Sequence, residues 1–234
     1  HTLIDCFDKM VENFNPASGL FNDLTQPRKG SLVNGWWAGY MVSDCHCAYT
    51  NGNGIYYLLK AYQLLKEKMQ IDKSQWLEKS LQALDTICFL QKSDGNFGYT
   101  YHTQKPLMLD EEGFAGVWFV PALAMAYQLT NQTKYLHSAI KGIHFYHSYV
   151  QDLQCWGTPM DTWKSIDQEG NLGFIRGARI LHELTKDPIY LSMMEDSANY
   201  EYLWRYAIKS KPEYAPLKNS SWNSVGGSVT SVSN

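Results

Sequence analysis

The sequence has no apolar run of the ~18 residues that a membrane-spanning helix needs, no visible signal peptide and no run of basic residues. Charged residues are scarce, at 18%, and the formal net charge is −3. That argues against nucleic acid as the main partner and leaves neutral or mildly charged small molecules and glycans open. No P-loop, Gly-x-Gly-x-x-Gly or Gly-x-Ser-x-Gly elbow is present, so the common nucleotide and serine-hydrolase signatures are missing. The five cysteines (Cys6, Cys45, Cys47, Cys88 and Cys155) are odd in number and irregular in spacing, and make no disulfide framework. Cys45-His46-Cys47 lacks the second, wider-spaced ligand pair of a structural zinc site, so neither metal nor cofactor is expected. The cysteines fix no compartment, although a periplasmic or secreted one is favoured, and nothing fixes the oligomeric state.

Aromatic residues are abundant instead. They make up 14% of the chain, with 8 Trp and 16 Tyr. This exceeds what a core needs, so some should line a binding surface. With 44% hydrophobic residues over 234 positions, the chain is expected to form one large domain, residues 1–234, with a substantial core.

The chain repeats itself. Ala61-Tyr62-Gln63-Leu64 recurs as Ala126-Tyr127-Gln128-Leu129, and Ile180-Leu181-His182-Glu183-Leu184 fills the same slot a third time. A short polar turn follows each, around 70–74, 131–133 and 186–188. Next comes an aromatic-Leu pair: Trp76-Leu77, Tyr135-Leu136 and Tyr190-Leu191. The unit is a helical hairpin of roughly 40–60 residues. Its first helix, about 51–68, 113–129 and 170–185, is apolar on most sides and so buried between neighbours. Pro121 should kink or shift the start of the second of these. The second helix of each pair carries a polar face, as in Glu78-Lys79-Ser80-Leu81-Gln82-Ala83-Leu84, and reads as outer. Residues 2–14 read as one more outer helix. Alternating inner and outer helices describe an all-α fold, an (α/α) toroid.

Long Gly-rich, aromatic loops, 15–51, 91–112 and 151–169, join each outer helix to the next inner one. Loops this long are usually functional, and in a toroid they all open at one end. Three hairpins and a leading outer helix fall short of the six hairpins of a closed toroid. The tail from Ser220 to Asn234 reads as another long loop or the start of a fourth inner helix. The expectation is therefore a piece of a longer enzyme.

Carboxylates concentrate in these loops: Asp44 in the first, Asp110-Glu111-Glu112-Gly113 in the second, Asp161 and Asp167-Gln168-Glu169-Gly170 in the third. Asn51-Gly52 takes the acid-Gly position in the first. Such residues can cap helix N-termini, or two of them can face each other across the cavity. A helix start favours the charged carboxylate, which suits a base, nucleophile or substrate-holding group and points to Glu112 and Glu169. A general acid needs apolar surroundings, and Asp161, between Trp156 and Trp163, has them. Trp36, Trp37, Trp118, Trp156 and Trp163 lie in or beside the same loops, where they either stack on sugar rings or plug the mouth as core. Arg176 should point into the cavity, where a buried Arg is rarely unpaired. It either holds an anionic substrate group or braces a loop carboxylate. His144 and His147 read as surface or packing residues.

Gln91-Lys-Ser-Asp94-Gly95-Asn-Phe97-Gly98-Tyr99 resembles the outer-helix-to-loop segment of six-hairpin, (α/α)6-toroid proteins. The Asp110-Glu-Glu-Gly113 and Asp161-Thr-Trp163 loops are similar to those that carry acids in toroid glycoside hydrolases of bacterial glycan degradation. The resemblance spans about residues 2–210. It implies a carbohydrate substrate, often a uronic-acid-containing glycan, and an acid–base pair at the toroid mouth drawn from Asp161, Glu112 and Glu169, with Asp110 and Asp44 as further candidates. The Gln-x-x-Asp-Gly-x-Phe string also occurs in terpene-cyclase toroids, but their Asp-rich motif is not intact here. Two alternatives stay open: a polysaccharide lyase using Tyr40, His46, Asn51 and Arg176, and a non-catalytic glycan-binding toroid.

Overall fold

In a computed structural model of the chain, residues 2–22, 36–38, 42–157 and 164–229 are described, with the backbone alone for 36–38 and 42–44. The first helix, α1 (Leu3–Glu12), begins at a capping box. Thr2 accepts a bond from the Asp5 N–H, and the Asp5 carboxylate accepts one from the Thr2 N–H. Next come a two-stranded ribbon of β1 (Phe14–Asn15) and β2 (Leu20–Phe21), then β3 (Trp36–Ala38) and β4 (Val42–Cys47). Strand β4 runs into α2 (Ala48–Leu64), which pairs with α3 (Ser74–Leu90). Strands β5 (Thr100–His102) and β6 (Met108–Asp110) precede the hairpin of α4 (Phe119–Thr130) and α5 (Thr133–Gln151). The third hairpin is α6 (Glu169–Thr185) with α7 (Ile189–Tyr202).

Helices α2, α4 and α6 pack side by side as an inner row, and α1, α3, α5 and α7 contact one another in sequence as an outer row. This is the expected toroid arrangement. Helix α4 is the apolar one, and residues 119–126 are all buried between its neighbours. Glycine lets the inner row close up. A Cβ at Gly52 would lie 2.6 Å from the Trp118 backbone, and one at Gly173 would lie 2.9 Å from the Trp118 ring. Mid-helix Gly costs about 1 kcal/mol in propensity, which the tight crossing offsets.

The hairpin turns repeat a single device. Gln70, which follows a π-helical extension of α2 (Leu65–Met69), and Asn131 and Lys186, which close α4 and α6, adopt left-handed backbone with φ of 56°, 56° and 62°. Within the first turn of each outer helix, Trp76, Tyr135 and Tyr190 are buried. Trp76 Nε1 donates to Asp8 of α1 at 2.8 Å, and the Tyr135 hydroxyl donates to Asp85 of α3 at 2.8 Å. Tyr190 packs against His144 of α5. Each aromatic thus pins its outer helix to the preceding one.

The helix starts differ from the sequence pattern. Helix α2 starts at Ala48, so Asn51 lies inside its first turn rather than at its cap. A 3-10 turn (Ala115–Trp118) precedes α4, which begins at Phe119. Pro121 therefore falls in the first turn, where its missing N–H is tolerated. The loops also carry a four-stranded antiparallel sheet, ordered β3-β4-β5-β6, which the pattern did not reveal. Its strands are too short and too polar to show alternation. Among the described residues no helix is long and apolar enough to cross a membrane.

Candidate functional site

The loops at the inner helix N-termini are tied together by backbone. The Ala48 N–H donates to the Tyr99 carbonyl at 2.9 Å, and the Phe114 N–H donates to the Trp156 carbonyl at 2.6 Å. The Gln91–Tyr99 segment contributes structure. Asn96 Oδ1 accepts from the Gly98 N–H at 2.7 Å and from the Tyr146 hydroxyl at 3.2 Å, while Gly98 takes φ +80°. Strand β5 is aimed across the mouth as a result.

Glu169 is the first residue of α6 and is half-buried. Behind it, the buried Asp167 carboxylate accepts from the Gly170 N–H at 3.1 Å and so caps the helix. The capping reading thus applies to Asp167, and it leaves Glu169 at the rim. Glu169 is hydrogen-bonded with Tyr49 of α2, whose phenol is pushed up to about 12, first by burial and then by the charges of Glu169 and Asp167. The Tyr49 ring stands edge-on to Trp118, centroids 5.4 Å apart. Tyr99 faces both acidic loops, and burial, with Asp110 and Asp167 among the negative groups around it, pushes its phenol well up.

Asp110, at the end of β6, forms an ion pair with Lys164 at 2.6 Å, and both side chains are largely shielded. Its other oxygen accepts from the Glu112 N–H at 3.0 Å. The Lys164 ammonium lies 5.2 Å from the Tyr99 ring centre and 5.5 Å from that of Trp156. Asp110 and Lys164 therefore clamp the second loop to the third, while Glu112 is exposed to solvent.

Arg176 sits midway along α6 in a cage of rings. Its guanidinium carbon lies 4.9 Å from the Tyr56 ring centre, 5.2 Å from Tyr57 and 5.5 Å from Trp118. One nitrogen donates to the Tyr57 hydroxyl at 3.1 Å. The other terminal nitrogen is buried without a hydrogen-bond partner. Among the described residues Arg176 makes no ion pair, so of the two expected roles it does not brace a loop carboxylate there.

Other expected site residues fill structural roles. The Asn51 amide is spent on backbone: its oxygen accepts from the Phe21 N–H at 2.9 Å and its nitrogen donates to the Phe21 carbonyl at 3.1 Å. His46 is buried and its Nε2 is 2.7 Å from the Ser18 hydroxyl. Trp118 is buried against the glycines of α2 and α6, and Trp156 is half-buried beside Lys164. His147 packs flat on Phe174 and meets Asp196 at 2.7 Å, as a packing residue should. Asp161, Trp163 and Tyr40 lie outside the described residues, as do the side chains of Trp36, Trp37 and Asp44. No group of three or more potential metal ligands occurs among the described residues.

Tyr49, Tyr99 and Lys164 were given no role by the sequence, and Asp167 was named there only as one of the loop carboxylates. Asp167 was within reach, two residues before Glu169. The other three acquire a role only through contacts between distant loops.

Comparison with family models gives no match, and no curated protein matches. Solved structures do match. An unsaturated glucuronyl hydrolase described with dGlcA-Glc-Rha-Glc aligns with a TM-score of 0.59 at 11% identity, covering 87% of this chain and 56% of that one. A Bacteroides ovatus GH9 protein aligns with a TM-score of 0.51 at 13% identity, covering 93% of this chain and 51% of that one. A polysaccharide lyase aligns at 0.45 and 11% identity, over 88% of this chain and 36% of that one. The chain thus spans about half the length of the first and the GH9 protein. Its helices share the fold of the first and the GH9 structures, an (α/α) toroid of repeated hairpins.

Proposed function

We propose that the chain is the acid-bearing part of a glycoside hydrolase that cleaves an acidic oligo- or polysaccharide. The observation that carries this reading is the convergence of Asp110, Asp167 and Glu169 around two tyrosines at the mouth of the inner row, with an arginine farther along α6 that makes no ion pair among the described residues. Aromatic faces stack on sugar rings, and the rim carboxylate, hydroxyl and amide groups take the hydroxyls. Glu169 either takes a proton from the water that attacks the anomeric carbon or attacks that carbon itself, water then releasing the glycosyl group, and the Tyr49 hydroxyl orients its carboxylate. Asp161, in the segment between Trp156 and Trp163, protonates the departing glycosidic oxygen. Positive charge develops on the ring in the oxocarbenium-like transition state, which a nearby carboxylate stabilises. A separation of about 5–5.5 Å between the two carboxyl groups gives retention of configuration, and about 6.5–9.5 Å gives inversion. Arg176 takes a carboxylate or sulfate of the substrate on the terminal nitrogen that has no hydrogen-bond partner.

A lyase would need a substrate-neutralising amide and a phenol or imidazole base. Asn51 is committed to the Phe21 backbone and His46 is buried against Ser18, while Tyr40, the phenol of that alternative, lies outside the described residues. These features support hydrolysis over elimination. The test is product analysis on a panel of acidic oligosaccharides. Hydrolysis gives reducing ends without absorbance near 235 nm. An unsaturated, absorbing product would overturn the hydrolase reading, and binding without turnover in the intact enzyme would favour a glycan-binding module.

A further inference from the structure

The segment after α7 leaves from the mouth end of that helix, where the Tyr200 hydroxyl donates to the Asp167 carbonyl. The Tyr206 N–H donates to the Gly227 carbonyl at 2.8 Å and the Gly226 N–H to the Tyr206 carbonyl at 3.0 Å. The Ser210 N–H donates to the Ser224 hydroxyl at 2.8 Å, and that hydroxyl donates to the Ile208 carbonyl. Arg205 and Ser228 form a bridge at the base. The loop is therefore closed on itself by backbone bonds.

It borders an open hollow of about 520 Å³ lined by Lys209, Lys211, Lys218, Ser220, Trp222 and Asn223. That volume is within the range of small-molecule sites. None of the three lysines makes an ion pair among the described residues, and Glu213, the acid of this loop, does not line the cavity. In a chain of net charge −3, three lysines lining one hollow are a local concentration of positive charge. They repel one another unless an anion joins them. Trp222 is 48% exposed, so a large apolar face is left in water beside them.

We propose that this loop is a binding subsite for an anionic sugar residue, whose ring stacks on Trp222 while its carboxylate or sulfate meets Lys209, Lys211 and Lys218. The Ser220 hydroxyl is engaged with the Leu217 carbonyl and the Trp222 N–H, and the Asn223 oxygen accepts from the Val225 N–H, so the Asn223 amide nitrogen is the group that meets a ring hydroxyl. The inference rests on the mouth acting on glycans, and it names the charge of the glycan bound beyond it.

The experiment uses the whole protein, a sulfated or uronate-containing oligosaccharide as probe, and its neutral counterpart and inorganic sulfate as controls. Binding is followed by calorimetry and by tryptophan fluorescence. The triple substitution Lys209→Gln, Lys211→Gln, Lys218→Gln should weaken the acidic oligosaccharide by about tenfold or more, with binding that falls as salt rises. Trp222→Ala should weaken it at constant charge and remove the fluorescence change. All four residues are outside the core, so unchanged thermal melting checks the fold. Equal affinity in the triple variant overturns the proposal, as does inorganic sulfate binding as tightly as the oligosaccharide. If Glu169→Gln retains full turnover while the lysine variant loses affinity, the mouth assignment fails and this subsite stands.

Discussion

Replacing Arg176 with methionine separates its two possible duties. In the free protein its guanidinium has three ring neighbours within 5.5 Å, each worth about 0.5–1 kcal/mol at a partly exposed site. The 3.1 Å bond to Tyr57 adds about 0.5–1.5 kcal/mol. Against these stands a buried terminal nitrogen with no acceptor, a penalty of about 1–3 kcal/mol. Methionine keeps a favourable contact with the rings, worth about 0.3–1.5 kcal/mol, and removes the unsatisfied donor. At mid-range values these contributions nearly cancel, so the free protein should change in stability by about 1 kcal/mol, a few degrees in melting temperature. Ligand binding should respond differently. A charge-assisted bond to a substrate anion is worth about 1.5–3 kcal/mol, so Arg176→Met should weaken an acidic oligosaccharide by about 10- to 150-fold. The carboxyl-reduced counterpart should change by less than about threefold. Calorimetry on both ligands, with scanning of the free protein, decides it. A variant that loses several kcal/mol of stability, with an unchanged preference between the two ligands, would refute the reasoning, since Arg176 would then be a structural residue.

The chemistry and the packing can be tested independently. Glu169→Gln should lower kcat by about a hundredfold or more with melting unchanged, and full activity in that variant excludes Glu169 from catalysis. Gly52→Ala should destabilise by about 1–3 kcal/mol despite the better helix propensity, because its Cβ meets Trp118 backbone that cannot swing away; denaturant unfolding measures this. Tyr135→Phe should cost about 0.5–1.5 kcal/mol by removing the bond to Asp85, and no loss in unfolding experiments would show that the pin between outer helices is dispensable. The phenol of Tyr49 is raised to about 12 from an ordinary value of 10. Its contribution to stability is therefore fully present below pH 10 and is lost as pH rises through 12. Phenolate absorbance should appear later than for a free tyrosine, and a Tyr49→Phe variant should lack that late component.

The sequence by itself determined the helical repeat. An apolar inner helix, a polar turn and an aromatic-Leu pair are local patterns set by backbone periodicity and by burial, so they survive in one dimension. Trp76, Tyr135 and Tyr190 were legible for that reason, and so was the acid-Gly step that opens α6 at Glu169. The mouth was only partly legible. Acids and tryptophans could be assigned to one end, because every outer-to-inner loop opens there. Which of them brace and which reach solvent depends on partners far away in sequence. Asp110 became a clamp because Lys164 lies opposite, and Asn51 a brace because β2 passes it. Arg176 acquired three rings because glycines let α2, α4 and α6 close around Trp118. The tertiary structure alone decided these roles, because they follow from contact geometry between loops, and sequence periodicity carries no record of which loops touch.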